Sequence, residues 1–341
     1  GGTAVGIPGT VAGLLLAHER FGVLSRANVL APAIRLANEG FKLDVAFKNA
    51  YASALQSIEH QTDNQQEQAK RALDSITELS MGGSTQSEVL RLIANYGMEG
   101  FYKGKVAESI VQATAGHLTL EDLRSYSPRW EQPLQIEIGD GSTIISMPPP
   151  SSGGVAIGQI IGILQRCNAY SLAPSSQEYS HVLVESMKHA FADRAEHMAD
   201  AAFIDVPVES LLEHKYLDDL ASRISSDTTQ GTFSYGSSLP PPDDDGTSHL
   251  CVVDKNGMMV SATETINTSF GSLLLVEPFG FMLNNEMDDF SSPSGANVYG
   301  LRQSDKNLPE PGKRPLSSMS PTIVERDGTP ILALGASGGP R

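Results

Sequence analysis

The segment that most constrains this chain is Ser237-Ser238-Leu239-Pro240-Pro241-Pro242-Asp243-Asp244-Asp245-Gly246. Consecutive prolines fix φ and withdraw backbone donors, so the run can be neither helix interior nor central strand. It reads as an exposed linker, with polar residues from 224 leading into it. On its far side the pattern becomes strand-like, with strands expected at 249–254, 258–266, 273–283 and 321–333, the first two turning at Asn256-Gly257. Thr247 stands at the junction. If the Gly246–Thr247 bond were cut, its hydroxyl would lie beside its own free amine, a nucleophile with a built-in base.

Before the linker, residues 1–125 read as mainly helical. Thr85-Gln86-Ser87-Glu88 has the form of a capping box, Val89, Leu92, Ile93 and Tyr96 follow at helical spacing, and Gly97 is a stop. Thr119 caps a short helix through Asp122, and 61–70 reads as a polar, solvated stretch. Residues 126–150 turn β-like, with Leu134, Ile136 and Ile138 alternating and a turn at Asp140-Gly141. A helical run at 155–164 comes next, then a longer helix capped by Ser175-Ser176-Gln177-Glu178 and running to about Met198, with Leu183, Met187, Ala190 and Phe191 on one face. One α/β unit with layered sheets is more economical than two independent domains.

Charge and cysteine content narrow the function classes. A net charge of −16 argues against nucleic acid or an anionic membrane as the main partner. Only Cys167 and Cys251 occur, too few for a disulfide framework; they could pair, but small buried thiols are the favoured reading. No CxxC or HExxH pattern is present, and His189 and His197 lie too far apart for a local metal pair. The longest apolar run, 155–164, is too short to span a bilayer.

Seven short motifs occur in one order along nearly the whole chain. They are Ile7-Pro8-Gly9-Thr10-Val11-Ala12-Gly13, Phe101-Tyr102-Lys103-Gly104, Met147-Pro148-Pro149-Pro150-Ser151-Ser152-Gly153-Gly154, and Gly246-Thr247-Ser248-His249. Then come Asn284-Asn285-Glu286-Met287-Asp288-Asp289-Phe290, Arg314-Pro315-Leu316-Ser317-Ser318-Met319-Ser320-Pro321-Thr322, and Gly335-Ala336-Ser337-Gly338-Gly339. In this order they resemble the γ-glutamyltransferase (γ-glutamyltranspeptidase) family of N-terminal nucleophile hydrolases. The resemblance implies an α/β fold, a four-layer αββα sandwich, in which 1–246 and 247–341 are parts of a large and a small subunit cut from one precursor and together form one domain.

The resemblance also implies roles. The Thr247 hydroxyl would attack the Gly246 carbonyl, giving an ester that water hydrolyses, and Thr247 would then serve as the mature nucleophile. Its α-amine, with a typical pKa of about 7.7–8.0, would act as base. Thr265 would orient the Thr247 hydroxyl. Gly338 and Gly339 would present backbone N–H groups as an oxyanion hole. Glu286 and Asp289 would hold a substrate α-ammonium through charge-assisted hydrogen bonds. Asn267 would contact the substrate's α-carboxylate or α-amino end, Ser317 and Ser318 would donate to its α-carboxylate, and Tyr299, in the loop 293–303, would be a lid tyrosine. Read alone, each has an ordinary alternative: a strand threonine, a turn asparagine or glycine, an acidic solvated loop, a serine loop, an exposed aromatic.

The implied activity is cleavage of the γ-glutamyl bond of glutathione and related compounds, with transfer to water, an amino acid or a dipeptide. No metal or organic cofactor is implied. The family habit is periplasmic, secreted or cell-surface. The family's carboxylate-clamping arginine lies upstream of Ile7, and the family continues beyond the Gly-Gly motif, so both ends are expected to be truncated. A related glutaryl or cephalosporin-type acylase, and an inactive unprocessed fragment, are the alternatives.

Overall fold

A computed structural model describes residues 1–59, 62–231, 247–292 and 304–338. Its first helices are α1 Thr10–Phe21, α2 Arg26–Glu39, α3 Val45–Ile58, α4 Asp63–Met81, α5 Gln86–Tyr96, α6 Met98–Tyr102, α7 Gly104–Ala113 and α8 Leu120–Ser125. Strands β1 Leu134–Gly139 and β2 Ser142–Ser146 follow, then α9 Gly153–Arg166, α10 Gln177–His197, α11 Val208–Leu212 and α12 His214–Ser222. The remaining strands are β3 Thr247–Val253, β4 Met259–Thr265, β5 Leu275–Val276, β6 Phe281–Met282, β7 Thr322–Arg326 and β8 Thr329–Leu334. The chain divides into two compact units, Gly1–Trp130 with Thr265–Met287, and Glu131–Glu264 with Asp288–Arg341. Each unit therefore draws residues from both sides of Gly246.

In the first unit, Val89 and Ile93 of α5, Val106, Ala107 and Ile110 of α7, and Leu123 of α8 form a continuous buried core with Val276, Phe279 and Leu283. Helical spacing puts these side chains on inward faces. Ile110 is wholly enclosed. Ile110→Ala is expected to cost about 2–5 kcal/mol, because transfer energy and a residual cavity add; denaturant unfolding measures it.

The expected stops and caps are largely present. Gly97 ends α5 at φ +60°, and its N–H donates to the Ile93 carbonyl, a backbone conformation that glycine adopts without strain. Thr119 and Asp122 form a reciprocal capping box. Thr85 does not form the expected box: its hydroxyl donates to the Pro278 carbonyl at 2.5 Å, so a tertiary partner displaces the local one. Residues 63–70 open α4 and are mostly exposed, as their polarity implies, apart from buried Ala69. The expected strand at 273–283 is broken into β5 and β6, because Phe279 and Gly280 both donate to the Val276 carbonyl in a tight turn.

The second unit carries an antiparallel sheet in the order β1-β2-β7-β8. Its two hairpins turn at Asp140-Gly141 (φ +49°, +74°) and Asp327-Gly328 (φ +49°, +75°), the left-handed pairs that match strand twist. The second turn splits the strand expected at 321–333. β2 joins β7 through Ile144 opposite Val324 and Ile145 opposite Ile323. β3 and β4 form a separate two-stranded ribbon, close to the expected boundaries.

α10 differs from its sequence pattern. Its buried residues are Glu185, Ser186, His189, Ala190 and Arg194, whereas Leu183, Met187 and Phe191 are only half-buried. Apolar periodicity cannot find a helix face whose inward residues are polar and hydrogen-bonded. Cys251 is exposed and Cys167 half-buried, so the buried reading fails for Cys251, whose strand leaves it at the surface. Among the described residues no helix is long and apolar enough to cross a membrane.

Candidate active site

Thr247 opens β3 and is half-buried; Thr265 closes β4, the strand paired with β3. Within the ribbon, His249 Nδ1 lies 2.8 Å from Thr263 Oγ1, and His249 Nε2 lies 3.1 Å from Cys251 Sγ.

The first unit supplies Thr265, Asn267 and Glu286. Thr265 Oγ1 accepts the Asn267 N–H at 2.8 Å. Asn267 is buried at φ +74°, a left-handed conformation that asparagine tolerates better than most side chains. Its Nδ2 donates to the Asn285 carbonyl at 3.1 Å. Asn285 N–H in turn donates to the Ile266 carbonyl. Asn284 locks the next step: its Oδ1 accepts N–H groups from Gly6 (2.9 Å) and Glu286 (3.0 Å), and its Nδ2 donates to the Gly6 carbonyl (3.0 Å). The Glu286 turn is therefore tied to the segment entering Ile7-Pro8-Gly9. That segment is held in turn by Tyr102, whose hydroxyl donates to the Pro8 carbonyl (2.7 Å) and accepts the Ala12 N–H (3.2 Å). Burial pushes the Tyr102 hydroxyl well above the usual phenol pKa, so it stays a donor.

Glu286 and Asp289 bound one short 3-10 turn and are half-buried. In the second unit the Asp289 carbonyl accepts Asn307 Nδ2 at 2.7 Å, while Asn307 Oδ1 accepts the Leu316 N–H at 3.1 Å. Wholly buried Asn307 thus links the Asp289 backbone to the residue preceding Ser317.

The serines show a definite directionality. Ser317 Oγ accepts the Met319 N–H at 3.1 Å, and Ser318 Oγ accepts Arg194 Nη2 at 3.2 Å. A hydroxyl carries one donor, and no described residue takes the proton of Ser317 or Ser318. Each O–H is therefore available to donate to a further acceptor. The motif 147–154 supports them from behind: Ser317 N–H donates to the Pro150 carbonyl (2.9 Å), and the Ser152 N–H (2.8 Å) and Oγ (3.0 Å) both donate to the Ser317 carbonyl. A Cβ on Gly153 would meet Ser320 Cβ at 2.5 Å, so glycine permits this close approach.

Arg194 was missed by the sequence reading, as were Asn284, Asn307 and the serine pair 151–152. Arg194 is 4% exposed. Burial pulls its guanidinium down to about 10, with the Asp289 carboxylate opposing that shift. Polar residues recurring at four- and five-residue spacing in α10 (Glu185, His189, Arg194) were the available signal.

Gly338 is described and half-buried, with φ +118°, open to glycine alone. Gly246, Gly339 and Tyr299 lie outside the described residues, as does the linker beyond residue 231. Among the described residues, no group of three or more His, Cys, Asp or Glu is arranged to hold a metal ion.

A family profile described as gamma-glutamyltranspeptidase matches residues 1–341. The chain is 39% identical to a glutathione hydrolase proenzyme of Pseudomonas aeruginosa, over all of this chain and 61% of that protein. It spans about three fifths of the length of the curated relatives it matches. Among solved structures, a gamma-glutamyltranspeptidase from Pseudomonas nitroreducens complexed with L-DON is 32% identical with TM-score 0.61, covering 69% of this chain and 70% of that one. A cephalosporin acylase from Bacillus halodurans is 24% identical with TM-score 0.78, over 98% and 60% of the two chains, a likeness of fold alone. The fold class is thereby the α/β N-terminal nucleophile hydrolase expected from the sequence.

Proposed function

This chain belongs to the gamma-glutamyltranspeptidase family, and from that premise we propose that it is the site-bearing part of a γ-glutamyl hydrolase and transferase. The precursor cuts itself at Gly246–Thr247, giving a large subunit that ends at Gly246 and a small subunit that begins with Thr247. The released amine takes the Thr247 hydroxyl proton as the oxygen attacks the γ-amide carbonyl of glutathione or a related compound. Backbone N–H groups of Gly338 and Gly339 stabilise the oxyanion. The leaving amine departs with that proton, and water or an amino-acid or dipeptide amine then breaks the γ-glutamyl ester. Thr265 orients the nucleophile. Asn267, Ser317 and Ser318 hold the α-amino-acid end, Glu286 and Asp289 its ammonium, and Tyr299 covers it. The family habit supports a periplasmic, secreted or cell-surface location.

The observation that supports this reading most is the serine pair: two adjacent hydroxyls that accept from the Met319 N–H and from Arg194, which leaves each O–H available to donate to a ligand carboxylate. Turnover of a γ-glutamyl anilide against a glutaryl anilide tests it. The glutaryl compound lacks the α-ammonium and is expected to react at least about tenfold more slowly, since hydrogen bonds to charged groups contribute about 1.5–3 kcal/mol. Equal or faster glutaryl turnover would favour an acylase.

Gly335 offers a steric test of the oxyanion segment. A Cβ there would sit 2.1 Å from His249 Cε1. Gly335→Ala is expected to push the imidazole off Thr263 and shift 336–338, lowering kcat about ten- to a hundredfold. Adding His249→Ala makes room for the methyl group and should restore part of the loss, measured as kcat of the single and double variants.

A further inference from the structure

We propose that Arg194 is a positioning residue for the α-amino-acid end of the substrate, holding Ser318 as a donor to the α-carboxylate and balancing the charge of Asp289. The inference rests on the function proposed above and deepens it by assigning a cation behind the substrate's zwitterionic end.

The geometry is directional. Arg194 Nε donates to Ser152 Oγ at 3.1 Å, and Nη2 donates to Ser318 Oγ at 3.2 Å. Ser152 has already committed its own proton to the Ser317 carbonyl at 3.0 Å. It can therefore only accept from the guanidinium, and it fixes the planar fork from the side of α9. The other edge of the fork then occupies an acceptor position of Ser318, which leaves the Ser318 O–H to donate away from Arg194. Lysine's three donors radiate from one point on a flexible stem, so it lacks the planar fork that fixes the two directions together.

The electrostatics require a partner. A guanidinium this deeply buried is tolerated only when hydrogen-bonded and opposed by negative charge. The Asp289 carboxylate is the charge whose influence favours the protonated guanidinium. An arriving α-amino acid brings one charge of each sign. Its ammonium would face Asp289 and its carboxylate would face Ser318, backed by Arg194. The charges then alternate, and each is met by its opposite.

The test uses the complete, processed gene product with a γ-glutamyl anilide as substrate. Arg194→Gln is expected to raise KM about ten- to a hundredfold, with kcat changed far less, because the lost interaction is made equally in ground and transition states. Arg194→Lys should recover part of that loss. Combined with Ser318→Ala, Arg194→Lys should add little to the Ser318→Ala defect, since both changes remove the same oriented donor. An unchanged KM, or effects that multiply independently, overturns the inference. Should the Arg194 variants fail to fold, Ser152→Ala frees the Nε edge while keeping the charge; a several-fold rise in KM is then expected, and an unchanged KM is fatal. Thr247→Ala separates the two levels. If that protein still splits and turns over substrate, the proposed function itself falls; if it is dead while the Arg194 and Ser152 variants keep wild-type KM, only the Arg194 assignment falls.

Discussion

Thr247→Ala in the complete gene product is expected to leave one uncut polypeptide and to lower γ-glutamyl turnover by on the order of 10⁴-fold or more, the scale seen when a nucleophile is deleted. One substitution removes two things. The precursor loses the hydroxyl that would attack the Gly246 carbonyl, so the amine is never released. The mature site loses the oxygen that would carry the acyl group. Expressing 1–246 separately from a second chain that begins at position 247 divides these effects. With threonine first, this split protein should be active without any cutting step; with alanine first, it should assemble and stay inactive. Thr247→Ser keeps a hydroxyl and an amine and should retain both steps at reduced rate. Gel electrophoresis and anilide release read all of these outcomes.

The second large effect is expected at Asp289. Asp289→Asn keeps the size of the side chain and removes its charge. KM for a γ-glutamyl anilide should rise about ten- to a hundredfold, because the charge-assisted bond to the ammonium is lost. Turnover of a glutaryl anilide, which has no ammonium, should change little, so the preference between the two substrates collapses. A second consequence follows from the buried Arg194, whose protonated form Asp289 favours. Without that carboxylate the guanidinium keeps, among the described residues, the neutral acceptors Ser152 and Ser318, and Tm should fall. Asn307→Ala, which deletes the Nδ2 bond to the Asp289 carbonyl, would move the turn while keeping its charge. Comparing Tm and KM for the two variants separates the electrostatic contribution from the positional one.

Local chemistry made parts of this fold legible. Asp140-Gly141 announces a tight hairpin because few other pairs accept two successive left-handed residues, whereas the equivalent turn at Asp327-Gly328 was read as the interior of one strand. Gly97 and Thr119 ended and began their helices as their backbone preferences require. The failures came where a distant partner outweighed a local one. Thr85 left its own helix for Pro278, and the turn after Val276 cut an apolar run that alternation alone reads as a strand. The site divides along the same line. The residues proposed for the site, Thr247, Glu286, Asp289, Ser317 and Ser318, were named through family resemblance. Arg194 was not, because an arginine in an amphipathic helix ordinarily faces solvent. Its burial depends on Ser152 and Ser318, which lie 42 and 124 residues away in sequence.

The most direct measurement is intact-mass analysis with N-terminal sequencing of the complete gene product. The account predicts two polypeptides, the second beginning Thr-Ser-His-Leu at position 247, with γ-glutamyl turnover confined to the split form. A single uncut polypeptide with full γ-glutamyl turnover would contradict it.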